Sequence, residues 1–233
     1  GHSTELLNSA FPTPKPKIFF QNYWGGVQPI ISGIDEDPFT SRINREKMTA
    51  AACTAGSLWK GVQVKWKGTL QQSYRGVEFA LRYLTAPASP LVLIEWTLHN
   101  PTSAPLRLAV ILGADTAFNG SLERSVLQAE WEGRMAEVHP SPALVSFLPS
   151  TNLAWLRRES SGTAPPEGLA VLTPGKEPRT VVLHLGMVCW LLLFERDLWL
   201  GPGEKHTLRA CLVVDPSSDT ILEELLPILE YIS

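Results

Sequence analysis

The sequence predicts an all-β protein, a large antiparallel β-sandwich (supersandwich) closed by one C-terminal helix. Three observations predict it. Residues 74–115, YRGVEFALRYLTAPASPLVLIEWTLHNPTSAPLRLAVILGAD, hold three long runs whose apolar residues alternate with polar ones, as half-buried strands require because successive side chains point to opposite faces. Roughly a dozen strand-like runs follow one another, more than a seven-stranded immunoglobulin-type sandwich needs. The helix–strand alternation of a parallel sheet is missing.

The elements follow in order. Residues 1–56 read as an irregular N-terminal segment that packs on the sandwich domain of 57–233. PTPKPK (12–17) excludes a helix or a central strand, since its prolines lack donors and fix φ. IFFQNYW (18–24) reads as a short strand broken by Gly25-Gly26, SGIDEDPF as loop, and REKMTAAAC as either a short helix or an Ala-lined buried strand. SLWKGVQVKW sends Leu58, Val62, Val64 and Trp66 to one side and Lys65 and Lys67 to the other. In the central stretch Val77, Phe79, Leu81 and Tyr83 oppose Glu78 and Arg82, and Ile94, Trp96 and Leu98 oppose Glu95, Thr97 and His99. Leu106, Leu108, Val110 and Leu112 line the third strand, so that the three form an antiparallel meander. SVLQAEWEGRMAEVH (125–139) predicts a hairpin turning at Glu132-Gly133. ALVSFL, LAWLRRE, LAVLT, RTVVLHLG, CWLLLFERDLWL and KHTLRACLVVD complete the strands, with SSGTAPPEG as a surface loop and Leu200–Glu204 as a tight turn. From Ser218 to Ile232 the spacing becomes helical: Ser218 or Asp219 can cap it, Leu222, Leu225, Leu226 and Leu229 form an apolar stripe, and Pro227 bends or shortens it.

A net charge of −3 gives no reason to expect nucleic acid or an anionic membrane as partner. The most apolar stretch, MVCWLLLF (187–194), is too short to span a bilayer and is followed by Glu195, Arg196 and Asp197; it reads as a buried strand. Gly1-His2-Ser3 reads as an expression remnant, and the Pro-rich opening is compatible with a chain cut from a longer enzyme. Of the three cysteines, Cys189 and Cys211 fall inside apolar strands, where a thiol behaves as a small core residue; a Cys189–Cys211 disulfide is the alternative. This usage favours a reducing, cytoplasmic compartment. Asn119-Gly120-Ser121 fits the glycosylation pattern, which is common by chance.

The chain has no zinc-ligand spacing, no G-x-S-x-G, no phosphate-binding loop and no dinucleotide fingerprint, so no metal and no cofactor is expected. Asp35, Glu36 and Asp37 are carboxylates without the regular spacing of a calcium loop and read as a solvated turn. His99, Glu95 and Asp115 share the parity away from Trp96; on a concave face they form an acid/base cluster, and otherwise they are solvated outer-face residues. His184 reads as a satisfied core or edge residue. Of eight tryptophans, Trp24 beside Gly25-Gly26 and Trp59 at a strand start are the candidates for stacking against a sugar, with Arg157 as a polar contact. Trp96, Trp190 and Trp199 are expected in the core.

SLWKGVQVKWKG, then GVEFALRYLTAPASPLVLIEWTLHNPTSAPLRLAVILGADTAF, then LWLGPGEKHTLRACLVV resembles the galactose-mutarotase-like supersandwich, across 57–215. The shared grammar is a strand, an Asn-containing turn of the form HNPTSAPL, a strand ending in GAD and a late L-x-PGE turn. The resemblance implies an aldose epimerase or an accessory domain of a carbohydrate-active enzyme, although no His-Asp-His or comparable catalytic signature is visible. The expected function is a β-sandwich domain that binds or shapes a saccharide site or another small polar ligand. The alternatives are a sugar isomerase, epimerase or lyase using His99, Asp115 and Glu95, and an assembly module that forms homo-oligomers through its sheet edges.

Overall fold

The structure is a computed structural model describing residues 27–37, 41–87, 89, 91–116, 125–131, 134–138, 145–151, 153–158, 167–173, 180–185 and 188–214. Among these, fourteen strands form an all-β sandwich of two sheets. They are β1 (Val27–Gly33), β2 (Thr49–Ala55), β3 (Trp59–Lys67), β4 (Glu78–Thr85), β5 (Leu91–His99), β6 (Leu106–Thr116), β7 (Ser125–Trp131), β8 (Arg134–Val138), β9 (Val145–Thr151), β10 (Leu153–Arg158), β11 (Glu167–Leu172), β12 (Thr180–Leu185), β13 (Val188–Leu200) and β14 (Lys205–Val214). The five-stranded sheet runs β1-β6-β13-β12-β9, and the nine-stranded sheet β2-β3-β4-β5-β14-β11-β10-β7-β8. The expected C-terminal helix, and the expected strand 18–24, lie outside the described residues. No described helix is long and apolar enough to cross a membrane.

The chain divides into two compact units. One comprises Pro29–Leu112 with Phe194–Ala210, and the other holds Val27 and Gln28 with the described residues from Gly113 to Leu193 and from Cys211 onward. In the second, β7 and β8 pair antiparallel as expected, with Trp131 opposite Arg134; the expected turn at 132–133 lies outside the described residues. β10 pairs antiparallel with β7 and β11, and β12 with β9 and β13.

In the first unit the period of two has its expected result. Phe79, Leu81 and Tyr83 of β4 and Val92, Ile94, Trp96 and Leu98 of β5 are buried. On the same side Trp66 of β3 stacks on Phe79 with ring centroids 5.1 Å apart, and Tyr74 meets Phe79 edge-on at 6.0 Å. Such aromatic contacts add about 0.5–1.5 kcal/mol beyond the area they bury.

Four expectations need correction. The third strand of the central stretch does not continue a meander: β4 and β5 pair, but β6 crosses to the five-stranded sheet beside β1 and β13. Its alternation could not reveal this, because an apolar face turned toward the core has the same parity in either layer of a sandwich. The segment 1–56 is not wholly irregular, since it supplies β1 and β2. Of REKMTAAAC, Arg45 ends a short 3-10 turn and Thr49 onward forms β2, whose Ala50, Ala51 and Ala52 are exposed rather than buried because β2 is an outermost strand. Leu58, placed inward by alternation, and Trp199, placed inward by residue type, are 64% and 62% exposed. Leu58 sits in the β2–β3 turn, and Trp199 shares its parity with exposed Asp197, whereas Leu198 and Leu200 turn inward.

The crossover is held by Asn100. Its side chain is buried, with Nδ2 donating to the carbonyls of Ala104 (2.8 Å) and Leu200 (3.0 Å). Oδ1 accepts from the Thr102 N–H (3.1 Å) and hydroxyl (2.6 Å). Its backbone N–H donates to Glu204 O, and its carbonyl accepts from the Gly203 N–H. The HNPTSAPL and LGPGE turns are therefore one structural corner, joined at Asn100 by its side-chain amide and by two backbone hydrogen bonds. Gly203 has φ 75°, a left-handed conformation that a residue with a side chain rarely adopts.

A second polar anchor fixes the segment before β2. Buried Glu46 accepts from the Thr69 N–H (2.7 Å), the Leu70 N–H (2.8 Å) and the Thr69 hydroxyl (2.6 Å). Burial works to raise its pKa, but these donors prevail and hold the carboxyl below the usual range. Glu36, from the expected acidic turn, accepts from the Gly33 N–H (2.9 Å), the Ser73 hydroxyl (2.8 Å) and the Gln71 amide. It too stays below the ordinary range, against the opposing effect of burial. Its role in this structure is to tie two loops together.

Candidate functional site

The side of β3, β4, β5 and β14 turned away from the aromatic core carries a grid of polar side chains. The strand registers dictate its rows. Lys67 lies opposite Glu78, which lies opposite His99; Lys65 opposite Ala80, opposite Thr97; Gln63 opposite Arg82, opposite Glu95. β14 continues two of these rows, with a Thr97–Thr207 hydroxyl contact of 3.0 Å and an Arg209 Nε bond to Glu95 Oε1 of 3.2 Å. Rows two residues apart are spaced about 6.7 Å and strands about 4.8 Å, so the three rows cover about 13 by 14 Å.

Glu95 is the centre of the third row. Arg82 Nη1 reaches its Oε2 at 3.0 Å while Arg209 takes Oε1, and the Glu95 side chain is only 16% exposed. The two guanidiniums hold both carboxylate oxygens, and the trio is locked in one geometry. Arg209 is half exposed, and its Nε is the donor it gives to Glu95; a guanidinium carries further N–H donors. Arg82 Nε is buried without a partner among the described residues. His99 Nδ1 meets Glu78 Oε2 at 3.0 Å.

The expected site residues separate as follows. Glu95 and His99 share the face, but they lie four residues apart on β5, about 13 Å, and each is engaged by a different partner. Asp115 lies on β6, in the other sheet, and its side chain is outside the described residues. Trp59 has the parity of Gln63, Lys65 and Lys67 and so belongs to the open face, half-buried at the far end of β3. Arg157 occupies β10 opposite Gly168 and Val126, with its side chain undescribed, and Trp24 lies outside the described residues. Arg82, Gln63 and Arg209 were missed as site candidates. Arg82 was visible as the outward residue opposite Glu95 once β4 and β5 are paired; Arg209 is 114 residues from Glu95 and had no local signal.

Between Trp59 and Gln63 the row is Gly61, Leu84 and Leu93, and here the face is closed, since Leu84 is fully buried. Gly61 is required by close approach, because a Cβ there would overlap the Tyr83 carbonyl group. Among the described residues no group of three His, Cys, Asp or Glu side chains is gathered for a metal ion.

No protein-family model and no curated protein matches the sequence. Solved structures do match the fold. A candidate aldose 1-epimerase from Klebsiella pneumoniae superposes with a TM-score of 0.50 at 9% identity, over 78% of this chain and 57% of that one. A galactose mutarotase-like protein from Lactobacillus casei gives 0.51 at 10% identity, over 70% and 72%. An alpha-galactosidase from Lactobacillus brevis gives 0.53 at 9% identity, over 93% of this chain but 29% of that one. The chain thus spans little more than half the length of the first of these and under a third of the last. At such identities the likeness speaks to architecture alone, and by that architecture the chain has the galactose-mutarotase-like fold.

Proposed function

We propose that this chain is a saccharide-binding β-sandwich domain whose ligand lies across the open face of β3, β4, β5 and β14. The observation that carries the reading is the continuous row Gln63–Arg82–Glu95–Arg209, four strands wide, on the same face as Trp59. A sugar offers hydroxyls that need fixed donors and acceptors, together with apolar C–H faces that stack on indole. The row supplies the first and Trp59 the second. The Arg82–Glu95–Arg209 lock holds this row in place before the ligand arrives, which lowers the ordering cost of binding. Support also comes from fold neighbours described as an aldose 1-epimerase candidate, a galactose mutarotase-like protein and an alpha-galactosidase. Because the chain matches only part of the first and last of them, and His99, Glu95 and Asp115 are not gathered into one cluster, the reading is of a domain that holds a carbohydrate.

Trp59 and Gln63 are four residues apart along β3, about 13 Å, which a single sugar ring does not span. The ligand is therefore an oligosaccharide. A glycan-array screen followed by calorimetry tests this on the whole chain and on the Trp59→Ala and Arg209→Ala variants. Affinity should rise with chain length, Arg209→Ala should weaken all ligands about tenfold, and Trp59→Ala should weaken the longer ones alone. Absence of any glycan ligand, or binding indifferent to both substitutions, removes the proposal.

A further inference from the structure

β2 ends the nine-stranded sheet, hydrogen-bonded to β3 on one side and to no described strand on the other. Its seven residues, TAAACTA, pair with Lys65 through Trp59 without a register shift. Natural sheets blunt such an edge with charge, proline, a bulge or a covering segment, because its free N–H and C=O groups recruit other strands. β2 has no charged residue, no proline and no bulge, and Thr49, Ala50, Ala51, Ala52 and Thr54 are exposed, so neither face is covered. Leu58, 64% exposed in the following turn, adds apolar surface at the end of the same edge.

We propose that β2 is a self-association edge, where two copies of this chain pair antiparallel about a two-fold axis normal to the sheet. Such an axis keeps every side chain on its own face, so residues of like parity meet. About Ala52, Ala50 of one protomer faces Thr54 of its partner, Ala51 faces Cys53 and Thr49 faces Ala55. All are small and uncharged, so the edges approach without steric or like-charge conflict. The nearest flanking cation, Lys47, falls opposite Ser57 rather than another lysine. The strand offers a foreign peptide no pocket and no charge to recognise. A second copy matches its length, its flat small-residue profile and its unbroken register, and the two nine-stranded sheets become one. This inference is independent of the saccharide reading.

Sedimentation velocity on the whole chain over a concentration series into the high micromolar range should show reversible dimerisation. Ala52→Lys, which sets two cations against each other on the axis, should raise the dissociation constant at least about tenfold, and Ala50→Lys should also weaken pairing. Far-UV circular dichroism and the melting temperature of the dilute protein should stay unchanged, since these side chains are exposed. Ala51→Cys reports the register: residues directly opposite on one face have Cβ atoms about 4.5–5.5 Å apart, so mild oxidation should trap a covalent dimer through Cys53. A chain that stays monomeric throughout, a dimer that survives both lysine variants, or no covalent dimer from Ala51→Cys overturns the proposal.

Discussion

Replacing Asn100 should destabilise the fold far more than its turn position suggests. Its amide makes four side-chain hydrogen bonds, to Ala104 O, Leu200 O, Thr102 N and Thr102 Oγ1. Only one orientation of the amide is consistent with that set, since its NH2 group faces two carbonyls and its oxygen faces two donors. Net contributions of about 0.5–1.5 kcal/mol per bond bracket the loss on Asn100→Ala at about 2–6 kcal/mol. Water can replace the bonds at the exposed Ala104 side, while the buried Leu200 carbonyl is left without a donor. We expect about 3 kcal/mol, read as a fall of about 1–2 M in the urea midpoint. Asn100→Asp separates the two halves of the corner. It keeps the acceptor for Thr102 but turns an anionic oxygen toward the Ala104 and Leu200 carbonyls, so at neutral pH it should be at least as damaging as alanine and recover partly in acid. An aspartate variant within about 0.5 kcal/mol of the wild type would refute the claim that the donor half joins the two turns.

Three further outcomes follow from the same geometry. Glu46 and Glu36 have folded pKa values below their unfolded ones, so their stabilisation is complete above the unfolded carboxyl value of about 4.3 and is lost as pH falls through the folded values. The melting temperature should stay level from about pH 7 to 5 and drop below about pH 4, and Glu46→Gln should lower it at neutral pH while shallowing the acid decline. Gly61→Ala should cost about 3 kcal/mol, since the added methyl overlaps the Tyr83 carbonyl and must push β3 from β4; a melting curve unchanged from wild type would contradict that packing. Burial pushes the Cys211 thiol up to about 12, whereas Cys53 is part-exposed. Alkylation followed by peptide mass mapping should label Cys53 in the folded protein and Cys211 only in denaturant.

The sequence showed the strands better than their partners. Alternation in 77–83 and 94–98 placed Phe79, Leu81, Tyr83, Ile94, Trp96 and Leu98 inward, because one buried face per strand is a local property that a period of two encodes. The crossing of β6 into the second sheet was hidden, since an apolar run shows that a strand is buried and not which sheet it joins; Leu108, Ala109, Val110, Ile111 and Leu112 are all buried, on both faces. Its signal lay in the turn: an Asn followed by Pro, Thr and Ser can form a side-chain-capped corner, but the second turn that completes it is 100 residues away in sequence. Trp199 was misplaced because residue type outweighed parity, although Asp197 two positions earlier marked the outward face. For the site, Glu95 followed from its parity away from Trp96, whereas Arg82 was missed, because it becomes its neighbour only once β4 and β5 are paired. Arg209 followed from nothing local, because the neighbour relation of β5 and β14 is set by topology.

The central claim, that a saccharide lies across the β3–β4–β5–β14 face, is tested most directly by hydrogen–deuterium exchange on the whole chain with and without a bound oligosaccharide from the array. The account predicts slowed exchange in peptides covering 59–67, 78–85, 91–99 and 205–210, with 106–112 unchanged. Protection confined to other strands, or none at saturating ligand, would contradict it.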